Sequence, residues 1–479
     1  MSEEIDLGTN NKKNKWWIWV IVIVIIAVVG YFAYGFFAPK ENNAPVVKDG
    51  SGVIALDPVA EASHISKVAG EEDAYWMRGN DTVWNDIETK EGKYDWDFKD
   101  QMVKGDMGMT ADGVYNLSII WPYANWDQES CHSGSKYEAT GHLQRDGENL
   151  LMGAPCDMEA YGAFLEKVVE RYDGDGVDDM PGLEVPIKYW EVLNEPSMQG
   201  RSEGGAGEDL KFFVGTSAEY LEILKTSYTA IKKADPTAKV LHAGMAGMQE
   251  QFKEFWNPVF KGGAGDYFDI ANIHSINTDE RREDMYLLKF KDYLSGYGIT
   301  DKPIWITEAQ FGNLQGEPDD IEAFNSLMAK STIFSLALGA EKIFLIENWT
   351  MWGEEDAYSS ADKDKEKKRP LSNVDLDSST THKLYKFLVK KLGSFDKVEA
   401  INEEYRESEH DSDGATSSAG QYKFTDGSDV VYVLWGKSSS VPSEISGSVT
   451  VTDIYGEEET KDASTINITD TPIFVEVTK

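Results

Sequence analysis

Cysteine is scarce in this sequence. Only Cys131 and Cys156 occur among its 479 residues, which is too few for the thiolate cluster of a structural zinc site. If the chain reaches an oxidising compartment, the two thiols are expected to close a disulfide over the loop between them. In a reducing compartment they would remain two free thiols, and the sequence leaves both outcomes open.

Positive charge is scarce as well. Lysine and arginine total 46 against 84 acidic residues, which gives a net charge of −38. The first 38 residues balance three acids against three lysines, so the negative charge lies beyond them. A surface of this sign argues against binding to nucleic acid or to an anionic membrane face. It favours simple solubility; a halophilic surface is the weaker interpretation, because lysine is plentiful.

One long uncharged run, from Trp16 to Phe37, stands near the amino terminus. As a helix it would be about 33 Å long, enough to cross a hydrocarbon core of about 30 Å. Three lysines precede it, which predicts a cytoplasmic tail over 1–15, a transmembrane helix over 16–38 and an extracellular remainder. Residues 39–51 are expected to form a linker. The alternative is a cleaved signal peptide, whose apolar region is typically shorter, about 7–15 residues.

Two short apolar stretches that each lead into a glutamate organise the rest of the chain. Ile187 to Leu193 has the pattern of a buried parallel strand and is followed by Asn194, Glu195 and a proline that stops it. Ile304 to Thr307 is a second such strand and leads into Glu308. The glutamates are 308 − 195 = 113 residues apart, a distance that three βα units of about 38 residues each would span. The pattern predicts a (β/α)8 barrel with both carboxylates at the carboxyl ends of its strands.

These two motifs resemble those of a known group of enzymes. Trp190-Glu-Val-Leu-Asn-Glu-Pro196 resembles the acid/base strand of clan A glycoside hydrolases, and Ile304-Trp-Ile-Thr-Glu308 resembles their nucleophile strand. The likeness is greatest to families 39 and 5 and covers about residues 52 to 479. It implies that Glu195 ends strand 4 as acid/base and that Glu308 ends strand 7 as nucleophile. It also implies retention of anomeric configuration, with carboxyl groups about 5–5.5 Å apart, and no metal or organic cofactor.

Further candidates for substrate binding lie at other strand ends of the expected barrel. Arg78 ends strand 2, where it is expected to hydrogen-bond Glu308 and keep it ionised; a surface arginine is the alternative. Asn194 is expected to bind the 2-hydroxyl of the sugar. His274 ends strand 6, where the family often has His-x-Tyr but this chain continues Ser-Ile-Asn. The missing tyrosine leaves that part of the site in question, and a purely structural histidine is the alternative.

Two tryptophans complete the predicted sugar site. Trp349 on strand 8 matches the tryptophan that forms the floor of the sugar site in the family. Trp121 ends strand 3, with Tyr123 and Trp126 close behind, and such rings either stack on sugars or pack their own loops. The pKa of Glu308 is expected to be lowered by Arg78, whereas a tighter pocket and the Glu308 charge would raise that of Glu195.

An acidic loop follows a helix predicted over 159–172. Asp173, Asp175, Asp178 and Asp179 alternate with glycines in a way that resembles calcium loops. The glutamate that closes a full calcium loop is not evident, so a solvated acidic loop is the alternative.

The strand pattern changes after the predicted barrel. The barrel is expected over 52–392, with a closing helix from Thr380 to Leu392. Over 393–479, short β-rich stretches at 422–424, 429–435, 447–452, 466–468 and 472–477 alternate with turn residues, which predicts a β-sandwich domain like the one that family relatives carry.

The sequence thus predicts a single-pass, membrane-anchored retaining β-glycosidase that acts on extracellular oligo- or polysaccharide and binds no nucleic acid. One alternative is a non-catalytic cell-surface carbohydrate-binding protein on a glycosidase-like barrel. Another is a scaffold whose β-sandwich contacts a partner. The intact pair of glutamates favours the enzyme.

Overall fold

The fold is described from a computed structural model. It describes residues 54–57, 76–104, 115–139, 144–145, 148–199, 211–312, 320–346, 380–437 and 439–477. The predicted tail, transmembrane helix and linker lie outside these residues, as does Trp349. Within the described ranges, no helix has both the length and the apolar character that a membrane span requires. The predicted domain boundaries stay predictions.

Within these ranges, eight parallel strands form a closed barrel. They are β1 Ile54–Asp57, β2 Trp76–Val83, β3 Tyr115–Trp121, β4 Tyr189–Val192, β5 Lys239–His242, β6 Ala271–Thr278, β7 Ile304–Phe311 and β8 Lys342–Ile346. Hydrogen bonds join them in the order β6-β7-β8-β1-β2-β3-β4-β5. Parallel bridges from Leu241 to Ile270 and from Met245 to Ile273 join the ends of β5 and β6. The predicted barrel is therefore confirmed; Glu195 follows β4, and Glu308 lies within β7.

Helices follow the strands and cover the outside of the barrel. The longer ones are α1 Asp97–Val103, α2 Met158–Tyr172, α3 Ser217–Ala234, α4 Glu250–Lys261, α5 Leu287–Ser295, α6 Ile321–Ala337 and α7 Thr380–Leu392. In α2 the buried side chains recur every three or four residues, as a helix with one apolar face requires. Thr216 caps the start of helix α3: its hydroxyl accepts from the backbone of Glu219, while the Glu219 carboxylate accepts from the backbone of Thr216. This capping box stabilises the start of the helix by about 1 kcal/mol.

Strand β7 contains one residue more than its neighbour in the middle of the barrel. Ile273 of β6 pairs with Ile306, but the next residue, His274, pairs with Glu308, so Thr307 is extra. The pairing of β7 with β8 shifts at the same place. In a regular strand, two consecutive side chains point to opposite faces. A bulge removes that constraint, and both Thr307 and Glu308 make hydrogen bonds inside the barrel.

The carboxyl-terminal region is an antiparallel sheet, as the sequence predicts. Its strands are β9 Lys397–Glu407, β10 Ala415–Asp426, β11 Asp429–Trp435, β12 Ser448–Thr452, β13 Glu458–Asp462 and β14 Ile473–Val477. Hydrogen bonds join all six in one sheet, in the order β9-β10-β11-β14-β12-β13, where the sandwich prediction expected two packed sheets. The strand expected over 466–468 is absent from the described residues, and a 3-10 turn precedes that segment instead.

Candidate active site

The backbone around Glu195 has an uncommon conformation. Leu193 and Glu195 both have positive φ, at 71° and 36°. Non-glycine residues in this region cost about 1–3 kcal/mol each, and they persist where the surroundings hold them. Here the backbone N–H of Leu193 donates to the carbonyl of Ile120 at 3.0 Å, and that of Met198 donates to the carbonyl of Glu195 at 2.8 Å. The turn directs the Glu195 side chain into the barrel, where the residue is only 5% exposed.

Glu308 faces Glu195 from the bulge of β7. Nη1 of Arg78 donates to Oε1 of Glu308 at 2.8 Å, which is the contact that the sequence predicts. The Glu308 side chain is 15% exposed, so it is reachable from the mouth of the barrel. A carboxylate oxygen of Glu195, one of Glu308 and a ring nitrogen of His274 all lie within 4.8 Å of one another.

Arg78 is a buried residue that connects several side chains. Its Nε donates to Oε2 of Glu191 at 2.7 Å, and its Nη2 donates to Oε1 of Glu191 at 3.0 Å and to Oδ1 of Asn194 at 2.7 Å. At 4% exposure it is not the surface arginine that the sequence left as an alternative. Because Arg78 occupies Oδ1 of Asn194, the Nδ2 group of that amide is turned away from the guanidinium.

Glu191 is a buried acid that sequence reasoning missed. It lies in β4 between Trp190 and Val192 and is fully buried. A carboxylate inside a strand needs partners, and here Arg78 supplies two hydrogen bonds. The signal was present in the sequence, because an acid in the centre of an otherwise apolar strand has to face a polar group in the interior.

His274 connects Glu195 to a chain of buried polar groups. Its Nδ1 lies 2.8 Å from Oε1 of Glu195, and its Nε2 lies 3.0 Å from Oγ1 of Thr307. Oγ1 of Thr307 contacts Oδ1 of Asn272 at 2.7 Å, and Nδ2 of Asn272 donates to Oε1 of Glu191 at 3.0 Å. Sequence reasoning found His274 but missed Asn272 and Thr307.

Gly244 makes room for this histidine. A Cβ on Gly244 would lie 1.9 Å from Nε2 of His274. The backbone N–H of Gly244 also donates to Oε1 of Glu191 at 3.3 Å. Glycine is therefore required here by the close approach of the ring, rather than by an unusual φ.

Burial and charge set the protonation of the site. Burial raises the pKa of Glu195 to about 7; Arg78 opposes this rise and Glu191 adds to it. Burial lowers the pKa of His274 to about 4, although the Glu308 charge opposes the change, so the ring is neutral near pH 7. The pKa of Glu195 therefore moves in the predicted direction.

The predicted lowering of the pKa of Glu308 is wrong. Burial raises that pKa, while His274 and Arg78 act in the opposite direction and Glu195 adds to the rise. The ion pair with Arg78 thus limits the effect of burial instead of outweighing it. Of the two facing carboxyls, Glu308 is the one in contact with the guanidinium, and this contact favours its ionised form.

The predicted aromatic residues that the structure describes pack against other parts of the protein. The Trp121 ring is 1% exposed and packs near Tyr123 and Phe212, with ring centroids 6.2 and 6.1 Å away. Trp126 donates from Nε1 to the carbonyl of Glu88 at 2.8 Å, which is loop packing. Sugar binding by Trp121 stays a prediction, as it does for Trp349 outside the described residues.

The remaining predicted side chains form two further groups. Cys131 and Cys156 form a disulfide, with Cα atoms 5.9 Å apart. Oxygens of Asp173, Asp175 and Asp179 lie within 4.8 Å of one another. Asp178, the fourth member of the predicted calcium site, is not part of this group. Two carboxylate oxygens of Asp179 accept backbone N–H groups of the same loop, and calcium binding stays a prediction.

Comparisons with known proteins place the fold among glycoside hydrolases. No protein-family model and no curated protein matches the chain. A family 39 glycoside hydrolase from Bacteroides cellulosilyticus WH2 is similar with a TM-score of 0.53 and 15% identity, over 90% of this chain and 81% of that one. A glucosidase from Croceicoccus marinus is similar with a TM-score of 0.54 and 14% identity, over 90% of this chain and 96% of that one. A family 39 β-xylosidase from Caulobacter crescentus is similar with a TM-score of 0.50 and 13% identity, over 90% of this chain and 96% of that one. The resemblance to clan A is thereby confirmed at the level of the fold.

Proposed function

We propose that this protein is a retaining β-glycosidase that hydrolyses O-glycosidic bonds of oligo- or polysaccharides. The observation that carries the proposal is the approach of the Glu195 and Glu308 carboxylates to within 4.8 Å at the mouth of the barrel. Retaining enzymes hold their two carboxyl groups about 5–5.5 Å apart, whereas inverting enzymes need about 6.5–9.5 Å to admit a water. The glucosidase and β-xylosidase of similar fold support the same reaction class.

In the first step, an ionised Glu308 oxygen attacks the anomeric carbon and forms an ester bond to it. The bond from that carbon to the leaving oxygen breaks, and its electron pair stays on the oxygen. Glu195 transfers its proton to this oxygen and becomes a carboxylate. Arg78 orients the attacking carboxylate through Nη1, and Nδ2 of Asn194 is the donor for the sugar's 2-hydroxyl.

In the second step, a water molecule attacks the anomeric carbon of the glycosyl ester. The Glu195 carboxylate takes a proton from the water, and the bond between the anomeric carbon and Glu308 breaks. Glu308 leaves as a carboxylate and Glu195 is again protonated, so both groups return to their starting states. Two inversions give net retention.

The same proposal includes a location outside the cell, with residues 16–38 as an uncleaved membrane anchor. The disulfide between Cys131 and Cys156 supports an oxidising compartment. Protease added to intact cells is expected to remove the barrel, and a barrel that stays protected would refute this part of the proposal.

The reaction is tested with a panel of aryl β-glycosides and β-linked polysaccharides. Wild-type protein is expected to release sugar whose first-formed anomer is β, seen by proton NMR before mutarotation, and Glu308→Ala is the control without a nucleophile. A first-formed α-anomer would refute retention. Binding of polysaccharide in calorimetry, without turnover of any substrate, would favour the non-catalytic carbohydrate-binding alternative.

A further inference from the structure

A directed chain of hydrogen bonds runs through the barrel beneath the catalytic pair. Glu195, His274, Thr307, Asn272 and Glu191 follow one another at 2.8, 3.0, 2.7 and 3.0 Å. The last four are fully buried and Glu195 nearly so, so water does not compete for these bonds. Each member therefore constrains whether its neighbour donates or accepts.

The direction of the chain is fixed at its far end. The Glu191 carboxylate, held by two hydrogen bonds from Arg78, is an acceptor, so Asn272 must present Nδ2 to it and Oδ1 to Thr307. The Thr307 hydroxyl consequently donates to Asn272, and its oxygen accepts from Nε2–H of His274. A neutral histidine with its proton on Nε2 has a bare lone pair on Nδ1.

We propose that Asn272 and Thr307 are positioning residues that hold His274 as the Nε2–H tautomer, so that His274 favours the protonated form of Glu195. The bare Nδ1 accepts a hydrogen bond from the Glu195 hydroxyl but has nothing to donate to a Glu195 carboxylate. When Glu195 gives up its proton, its oxygen and Nδ1 become two acceptors 2.8 Å apart, which drives the carboxylate toward the incoming water. This inference rests on the proposed function, because it assigns the setting of the acid/base group.

His274 stays neutral among the groups that surround it, so only the position of its ring proton can change. Glu195 and Glu191 approach it from the end and the centre of β4, Arg78 from β2 and Glu308 from the bulge of β7. His242 at the end of β5 is the other nearby histidine, and burial lowers its pKa to about 3. Both rings are therefore neutral in the pH range of the test.

Thr307→Val removes the hydroxyl and keeps the β-branched shape, and Thr307→Ser is the matched control that keeps the hydroxyl. In the valine variant His274 is free to carry its proton on Nδ1 and to donate to an ionised Glu195. The basic limb of the kcat/KM profile, where Glu195 loses its proton, is expected to move about 1–2 pH units lower. The serine variant should keep the wild-type limb. A folded valine variant with an unmoved limb overturns the inference.

Histidine tautomers are read directly by ¹⁵N NMR of protein labelled at its seven histidines, with His274→Asn assigning the resonance. Below pH 7, wild-type His274 is expected to show Nε2–H, and the valine variant is expected to shift toward Nδ1–H. Wild-type protein with Nδ1–H would overturn the inference even if the valine variant failed to fold. This readout needs no turnover, so absence of glycosidase activity would refute the proposed function while the tautomer is still measured.

Discussion

Replacement of Arg78 by methionine removes the only positive charge that the structure places between Glu191 and Glu308 in the described part of the barrel. The guanidinium makes hydrogen bonds of 2.7 and 3.0 Å to Glu191 and of 2.8 Å to Glu308. Loss of one partner of a buried ion pair leaves an uncompensated charge and costs about 3–5 kcal/mol. We expect Arg78→Met to lower the free energy of unfolding by about that amount at pH 7 and above.

The pH dependence of this loss has a definite sign. Without Arg78, the folded-state pKa of the Glu308 carboxyl rises further above its unfolded value, since an opposing positive charge is gone. A group with a raised folded pKa contributes its full stability below the unfolded pKa and loses it as pH rises through the folded pKa. The difference in stability between variant and wild type should therefore grow from pH 4 to pH 8. Because Glu308 has to be ionised, the acidic limb of kcat/KM should also move to higher pH.

Urea unfolding, monitored by circular dichroism, measures the free energy of unfolding. An aryl β-glycoside assay at several pH values measures the acidic limb of kcat/KM. Arg281→Met is the control, because Arg281 pairs with Asp279 on the surface at 61% side-chain exposure, where such pairs contribute about 0–1 kcal/mol. Equal midpoints for Arg78→Met and wild type at pH 8 would refute the assignment of Arg78 as the buried counter-ion. A larger loss of stability in Arg78→Met at pH 4 than at pH 8 would refute the predicted direction of the pH dependence.

Three further predictions concern the glutamates and the ring of His274. Azide should restore turnover of an aryl β-glycoside by Glu195→Ala and yield a β-glycosyl azide, whereas Glu308→Ala should yield the α-azide; exchanged products, identified by NMR, would reverse the two roles. Wild-type kcat/KM should fall as pH rises through about 7, because Glu195 then loses the proton it must donate; a limb above pH 9 would contradict this. Gly244→Ala should reduce kcat/KM at least about tenfold by displacing His274, whereas Gly162→Ala in helix α2, where the added Cβ meets only ordinary contact, should leave it unchanged.

Local sequence patterns were sufficient for the barrel and for the two glutamates. Each of those features depends on a short apolar strand and on the polar residue that ends it, and both are visible within about ten residues. Arg78 could be placed near Glu308 for the same reason, since the carboxyl ends of parallel strands meet at one face of the barrel.

The missed residues depend on contacts across the barrel. Glu191 accepts hydrogen bonds from Asn272 and from Arg78, and nothing in the strands of Glu191 and Asn272 identifies those partners. Thr307 faces inward because of a bulge, which breaks the alternation that a strand pattern assumes. The pKa of Glu308 was misjudged because burial, which the sequence does not give, exceeds the effect of Arg78.

The two missed strands have a different cause. β9 and β13 lie at the two ends of the carboxyl-terminal sheet, and both are dominated by charged side chains. Charged residues on edge strands limit unwanted pairing with other chains, and they also hide the strand from patterns based on apolar residues. The sequence pattern therefore predicted the interior strands of that sheet but not its two edge strands.

The junction where β5 and β6 close the barrel, called the seam here, shares a residue with the hydrogen-bond chain that ends at Glu195. Two isolated bridges join these strands, and the backbone N–H of Asn272 adds a hydrogen bond to Nε2 of His242 at 3.0 Å. Asn272 thus belongs both to the closure of the ring and to the chain that ends at Glu195. Local opening of this seam would release the acid/base from its partners while the other strands remain paired. On heating, we expect activity to disappear before the circular dichroism of the barrel changes, with amide exchange rising first at β5 and β6.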